Sequence, residues 1–360
     1  MRSLAILRNS TEKLHLTPTF DMSVAPIRVV VIGATGKTGN SVVKGLVASS
    51  TSFEITALTR ASSLHNESNN ALRDLGAKVV AFDIQGPKED LIPIFAGQDV
   101  VISCVHASQI DAQLNLIEPL KEAKVKRFIP CNFATAAPAG VMAMHDRKLR
   151  VVDAVQRAYI PYTVIDDSWW YQGVCPSVPS GKTDHGVFAD MNDRIYGDGD
   201  VPQGLMDMND VGLYVAEIIA DPRTINKKVY IYSEVLTQNQ IWATVADITG
   251  EEPLRHTVSK DEILRTIADS AKILEKNPND IMGFLGLTVN QYRHSYAIRG
   301  DNTPERAVYL GYLDGHELYP EVKTTTFREY FQKLVDNKPP GAGKLSVAEF
   351  LKSVGFEITK

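Results

Sequence analysis

The chain has 360 residues, enough for one large core or two closely packed lobes, and its 44% hydrophobic and 22% charged residues exclude global disorder. Lysine plus arginine (38) falls below aspartate plus glutamate (43), so the net charge is −5 and no basic face points to a nucleic-acid partner. Three cysteines without a CxxC pair argue against a disulfide framework or a zinc site and fit a reducing, cytoplasmic setting, and no apolar run has the length of a membrane span.

Residues 1–25 read as an N-terminal extension, whose short apolar patch has neither the length nor the cleavage pattern of a secretory signal. From 26 to 166, short β-branched runs alternate with amphipathic stretches, the pattern of βαβ units and a parallel sheet. The predicted strands are Ile27–Ile32, Phe53–Thr59, Ala77–Phe82, Asp99–Cys104, Arg127–Pro130 and Tyr162–Asp166. Helices are expected over Lys37–Ala48, Gln109–Lys124 and Val141–Tyr159. Several strands are almost continuously apolar, as strands covered on both faces should be. The expected architecture is α/β: a doubly wound parallel sheet of six strands, followed over 167–338 by a smaller mixed α/β lobe interleaved with it. In that lobe 167–209 reads as loops and small hairpins over the sheet's carboxyl edge. Helices follow at Asp210–Ala220, Gln238–Thr249, Lys260–Leu274 and Thr325–Asp336, with a strand at Lys228–Ser233. PPGAGK at 339–344 reads as a hinge into a C-terminal tail, 339–360, with a last amphipathic segment at Leu345–Phe356.

VVVIGATGKTG at 29–39 runs a buried-type strand into Gly33, Gly36 and Gly39 and then into a helix. Glycines there permit the tight turn, admit a pyrophosphate to the backbone and let helix and strand pack closely, with the anion on the helix's amino end. The segment predicts a dinucleotide site including Thr35, Lys37 and Thr38. GKT at 36–38 does not make a nucleoside-triphosphate loop, because Val31 stands where that pattern requires its first glycine. The second strand ends at Arg60 instead of an acidic residue, a choice suited to the 2′-phosphate of NADP(H).

The succession of GATGKTG (33–39), ALTR (57–60), KVKRFIPCNF (124–133), KLRVVDAVQRAYIPYTVI (148–165) and the long segment 195–231 resembles the isoflavone reductase-like branch of the NmrA-like, atypical short-chain dehydrogenases. The pairs IRGDN and ELYP near the end agree in order and spacing. The resemblance covers roughly 27–335 and implies a Rossmann-type domain binding NADPH. It also implies a cleft in which an aromatic or heterocyclic substrate meets the nicotinamide, with a homodimer as an option. It places Asp83, Cys104, Gln113, Asn132 and Phe133 beside the cofactor. The conventional Tyr-x-x-x-Lys pair reads Met144 and Lys148 here, so the tyrosine is missing and the resemblance gives Lys148 the acid–base role. Cys131-Asn132-Phe133-Ala134 departs from the branch's usual Ser-Glu-Phe-Gly.

The residues speak to this independently. Met144, Lys148, Val152, Val155 and Tyr159 fall on one helical stripe. A lysine on an apolar stripe either snorkels out or lines a cavity. In a cofactor cavity, desolvation and the nicotinamide's charge are expected to lower its pKa. His106, past the fourth strand, and the Asp166–Asp167 pair are further acid–base candidates. Asp166, Asp167, Trp169, Trp170 and Tyr171 follow the sixth strand, where rings stack on a flat substrate and a carboxylate steers a protonated amine. Met206, with Met208 and Tyr214, is expected on the opposite wall. The leading expectation is an NADPH-dependent reductase. A ring-closing amine–aldehyde condensation enzyme and a dinucleotide-sensing regulator are the alternatives.

Overall fold

The computed structural model describes residues 25–185 and 193–337. The expected N-terminal extension (apart from its last residue), the hinge and the segment Leu345–Phe356 lie outside the described residues. The first half contains β1 (Ile27–Ile32), α1 (Lys37–Ala48), β2 (Phe53–Thr59), α2 (Glu67–Asp74), β3 (Lys78–Ala81), α3 (Lys88–Phe95) and β4 (Val100–Ser103). A 3-10 stretch (Ala107–Leu116) then runs into α4 (Ile117–Glu122), followed by β5 (Arg127–Ile129), α5 (Ala143–Arg157) and β6 (Thr163–Asp166). Next come β7 (Trp169–Trp170), β8 (Arg194–Tyr196), β9 (Gln203–Met206), α6 (Val211–Ala220), β10 (Lys227–Tyr230), β11 (Glu234–Leu236), α7 (Gln238–Thr249) and β12 (His256–Val258). The chain continues through α8 (Lys260–Lys276), α9 (Ile281–Arg293), α10 (Pro304–Tyr309), β13 (Tyr312–Asp314), α11 (Gly315–Leu318) and α12 (Phe327–Asp336).

The central sheet is parallel, in the order β3-β2-β1-β4-β5. Its register sets Ile27 opposite Phe53 and Val29 opposite Val100. Successive residues of β1 serve different cores: Val29 and Val31 pack on one face, Val30 and Ile32 on the other. That two-sided burial is why these strands carry no polar alternation. Strand order reverses between β1 and β4, and ligands of open α/β sheets settle at such a switch point, outside the strands' carboxyl ends.

The sixth strand departs from the expected single sheet. β6 joins β5 by one parallel bridge, Phe128 to Tyr162, and otherwise pairs with β10, which pairs with β13. Pro130 follows β5 immediately and has no N–H to continue the ladder, so the two strands part after one contact. They meet again where Phe133 N donates to the Ile165 carbonyl at 2.9 Å. The loop 130–133 between those contacts opens at the sheet's carboxyl edge. The helix expected at Gln109–Lys124 is also broken: Pro119 leaves only α4 in α form, preceded by the 3-10 stretch. In the region 167–209, β7 pairs in parallel with β9 and β8 with β12, so these strands are not hairpins.

The second half is clamped to the first at two places. The guanidinium of buried Arg127 donates to the carbonyls of Ile218 (2.8 Å) and Asp221 (3.0 Å), placing its charge at the negative end of α6. Along α1 and α6 the backbones meet at Gly45 and Gly212; a Cβ at Gly212 would lie 1.9 Å from the Ser41 carbonyl oxygen. Among the described residues no helix is long and apolar enough to cross a membrane. Gly212→Ala is expected to destabilise the protein by about 1–3 kcal/mol through overpacking, read as a lower urea midpoint at unchanged slope.

Candidate functional site

The glycine loop is built for an anion. Gly33 takes φ +76°, and a Cβ there would lie 2.4 Å from the Cys104 carbonyl oxygen; at Gly39 it would lie 2.2 Å from the Gly33 carbonyl oxygen. Gly36 N donates to the Gly33 carbonyl at 3.0 Å, closing the turn. Gly36 precedes α1 without a side-chain cap, and the first turn of α1 holds no acidic residue. The first N–H groups therefore point outward beside exposed Thr35 and Lys37 and half-buried Thr38. Arg60 is exposed past the end of β2, and among the described residues it forms no ion pair. Exposed Asp83, past β3, accepts from Gln85 N at 2.9 Å.

Two residues expected along the cofactor are instead used by the fold. Gln113 is fully buried, donating to the Ile110 carbonyl at 3.0 Å and accepting from Cys131 N at 2.8 Å, so it props the loop after β5 from beneath. Cys104 presents only its backbone to Gly33, and burial holds its thiol far above the usual range.

Around the loop 130–133 lies a buried polar cluster. Lys148, 7% exposed, projects from α5 and donates its Nζ hydrogen to the Asn132 carbonyl. Asn132 Nδ2 donates to Asp166 Oδ1 at 2.7 Å, and the Tyr312 hydroxyl donates to Asp166 Oδ2. Asp166 is 0% exposed with both oxygens taken, so it positions the cluster and does not reach a substrate, contrary to the catalytic role expected of it. Asp167, equally buried, accepts from Trp170 Nε1 at 3.0 Å, and its Oδ1 has no partner. Burial pushes its carboxyl up to about 7, against the pull of Trp170 and Lys148 and with the help of the Asp166 charge. For Lys148, burial alone lowers the pKa, but Tyr292, Cys131, Asp166 and Asp167 outweigh it and hold the ammonium above its ordinary value. The lowered value expected from the sequence took no account of this acidic surround. The Asn132 Oδ1 atom is sealed without a partner, and the next residue, Phe133, takes φ +22°. Such strain at a sheet edge marks a backbone held for a purpose other than stability.

The stripe on α5 is real for Met144, Lys148, Val152 and Val155, all buried, but not for Tyr159. That residue lies past the helix end at φ +57° and is 92% exposed. His106 caps the 3-10 stretch, its Nδ1 accepting from Ser108 N at 3.3 Å. Cys131 donates its thiol hydrogen to the Val105 carbonyl at 3.3 Å, and burial pushes its pKa up to about 11.

Trp169 and Trp170 are half-buried at the mouth. Trp169 lies 5.5 Å from the ring of Tyr292 and 5.0 Å from that of Tyr296. A small cavity behind Trp169 is lined by Tyr196, Trp242, Tyr296, Arg194 and Arg293; Lys148 is not part of its wall. Tyr171 turns away and is fully buried against Phe327 and Tyr330, its hydroxyl donating to Glu234 at 2.8 Å. It is a core residue, not the substrate contact expected. Met206, at 0% exposure, and Tyr214, stacked on His316, are core residues too. Sequence reasoning missed His145, 1% exposed with Nδ1 unpartnered and its pKa lowered by burial, and Tyr292 of α9, buried against Trp169.

A switch-point anion loop and a buried lysine at the same sheet edge define a dinucleotide-binding protein of the short-chain dehydrogenase type. The chain belongs to the NmrA-like family, whose model matches residues 27–331. It is 40% identical to asnovolin J 5′,6′-dehydrogenase of Aspergillus novofumigatus, over 86% of this chain and 96% of that protein. It is 28% identical to a phenylcoumaran benzylic ether reductase of Ginkgo biloba, over 86% of this chain and 99% of that one. Leucoanthocyanidin reductase of Vitis vinifera, solved in binary complex with NADPH, superposes at a TM-score of 0.71 with 25% identity, over 86% of this chain and all of that one. The chain is thus an oxidoreductase. Among the described residues no group of His, Cys, Asp and Glu side chains could hold a metal ion.

Asp167 carries a pH signature. Its folded pKa of about 7 exceeds the unfolded value of about 3.9, so its contribution favours folding most below the lower value and is lost as pH rises between the two. Asp167→Asn keeps an acceptor for Trp170 and is expected to flatten that decline, seen as a smaller difference in urea stability between about pH 5 and pH 8.

Proposed function

We propose that this oxidoreductase uses NADP(H) to exchange a hydride with an aromatic or heterocyclic small molecule of secondary-metabolite type, Lys148 managing the proton. The observation that carries the reading is Lys148 itself: a buried ammonium at the same sheet edge as the glycine loop, held on the Asn132 carbonyl. A lysine serving only stability would snorkel to water; this one is fixed on the Asn132 carbonyl at the loop where β5 and β6 part.

The residues fit the cofactor. Bare glycine backbone and uncapped N–H groups of α1 would hold the pyrophosphate, and Arg60 would pair with the 2′-phosphate. When bound, the dinucleotide supplies or accepts the hydride. The protein's part is to orient the reactants and hold charge. The surroundings of Lys148 hold its ammonium above the ordinary value despite burial, so it acts as a donor to a substrate oxygen that gains charge. The relatives named as reductases of a phenylcoumaran and a leucoanthocyanidin, and the dehydrogenase of asnovolin J, support a natural product as substrate. The expectation that a carboxylate steers an amine finds no support at Asp166, whose oxygens are both occupied.

NADPH is expected to bind at least about tenfold tighter than NADH, and Arg60→Ala to erase most of that difference, about 1–3 kcal/mol for a charge-assisted pair. Equal affinities in the unmodified protein, by fluorescence titration, would sink the assignment. Lys148→Met is expected to keep the fold and hold nucleotide affinity within a few-fold while lowering turnover by roughly 10²–10⁴. Turnover near the unmodified rate would dismiss Lys148 as the proton carrier.

A further inference from the structure

Charge also gathers away from the glycine loop and Lys148. Arg293, the last residue of α9, is 7% exposed. Its guanidinium lies 4.8 Å from the centre of the Tyr196 ring and donates from Nη1 to Asn290 Oδ1 at 3.3 Å. Arg194 precedes Tyr196 by two residues on β8, so both project from the same side of that strand. Both arginines line the cavity behind Trp169, with the rings of Tyr196, Trp242 and Tyr296 around them. Among the described residues of that wall there is no aspartate or glutamate. The neighbouring Asp193 keeps its carboxylate 3.8 Å from Arg194 Nε, beyond hydrogen-bond reach.

Two like charges in one wall repel each other, and an anion between them turns that repulsion into attraction. The wall has a neutral donor as well. Tyr196 is 4% exposed; its hydroxyl hydrogen-bonds to none of the described residues, and its oxygen is not among the atoms sealed from solvent. Gln238 and Trp242, by contrast, are engaged. Gln238 accepts from Tyr196 N at 2.9 Å and donates to the Arg194 carbonyl at 3.3 Å, which holds β8 in place. Trp242 Nε1 donates to the Leu254 carbonyl at 3.0 Å. The wall thus offers donors, two guanidinium groups and a phenol, framed by aromatic rings.

The cavity holds about 40 Å³ of free space. One water needs about 10–15 Å³ of such room, so the cavity takes about three non-hydrogen atoms, the size of a carboxylate. A tetrahedral phosphate or an aromatic ring is bulkier than that. The planar guanidinium also matches a planar carboxylate, and rings that keep water out strengthen each charge-assisted hydrogen bond. We propose that the cavity behind Trp169 binds the carboxylate of a small molecule, whose oxygens accept from Arg194, Arg293 and the Tyr196 hydroxyl while its apolar body stays at the opening. The site requires neither NADP(H) nor Lys148, which is not part of its wall, and lies beyond the hydride-transfer reading.

Two of the chain's three tryptophans, Trp169 and Trp242, line the cavity, so indole emission reports its occupancy. The full chain is titrated with benzoate and, separately, with benzamide, its neutral counterpart of nearly the same shape. Benzoate is expected to give a saturable change and to bind at least about tenfold tighter than benzamide. Arg194→Gln, and Tyr196→Phe, which removes only the unused hydroxyl, are each expected to weaken benzoate about three- to tenfold and to leave NADPH affinity within about twofold. Lys148→Met is expected to leave benzoate affinity within about twofold. Equal binding of benzoate and benzamide, or no saturable change, would overturn the proposal. So would benzoate binding that ignores both wall substitutions, or that disappears with Lys148→Met and so belongs to the lysine. Should Tyr196→Phe not fold, Arg194→Gln decides the matter alone.

Discussion

An ammonium group buried at the loop where two sheets part is the constraint around which this molecule is arranged. Taking Lys148 out of water costs several kcal/mol unless fixed dipoles and anions replace its hydration. The replacement is the Asn132 carbonyl together with Asp166 and Asp167, and each of those needs support in turn. Asn132 is steadied by Asp166, and Asp166 by Tyr312 from β13, three strands away from β5 across the second sheet. One positive charge thereby fixes α5, the loop after β5, the end of β6 and the start of β13 relative to one another. A network of this kind is worth having only when complete, since a half-satisfied one is worse than an apolar core.

Asp166 and Asp167 are adjacent in sequence yet have opposite surroundings. The first accepts two hydrogen bonds; the second has one donor and an unpartnered oxygen, and burial pushes its carboxyl up to about 7. Consecutive residues leaving a strand face different sides. The chain thus obtains from two identical side chains a hydrogen-bonded strut for the loop after β5 and a carboxyl that burial makes protonatable.

Most of the first half was legible because its strands are buried on both faces: β1 and β2 and the helix α1 agree with the sequence reading residue for residue. The glycine loop was legible because its turn admits no Cβ. The parting of β5 and β6 hangs on Pro130, whose missing N–H acts only once the strands are paired. In the second half the reading fails at α9. Its sequence, IMGFLGLTVNQYR, has two glycines and no polar face of helical period, so no amphipathic signal separates it from a loop. Tyr292 was invisible with it, since only tertiary packing brings α9 to α5. Tyr171 misled for the converse reason: it directly follows two mouth-lining tryptophans, but the 3-10 turn at Tyr171–Gly173 rotates it into the core.

The crossing of α1 and α6 at Gly45 and Gly212 leaves no side chain between the two backbones. Ser41 adds hydrogen bonds at the same spot, donating to the Asn209 carbonyl at 2.7 Å and accepting from Gly212 N at 3.0 Å. Side chains at a helix crossing ordinarily act as a cushion that lets one helix slide or tilt against the other; here that cushion is gone. The helix that opens at the glycine loop and the helix that follows Asp210 therefore meet backbone to backbone, with little freedom to slide. A tilt of α1 at the glycine loop has to carry α6 with it, because no side chain lies between them to absorb the change.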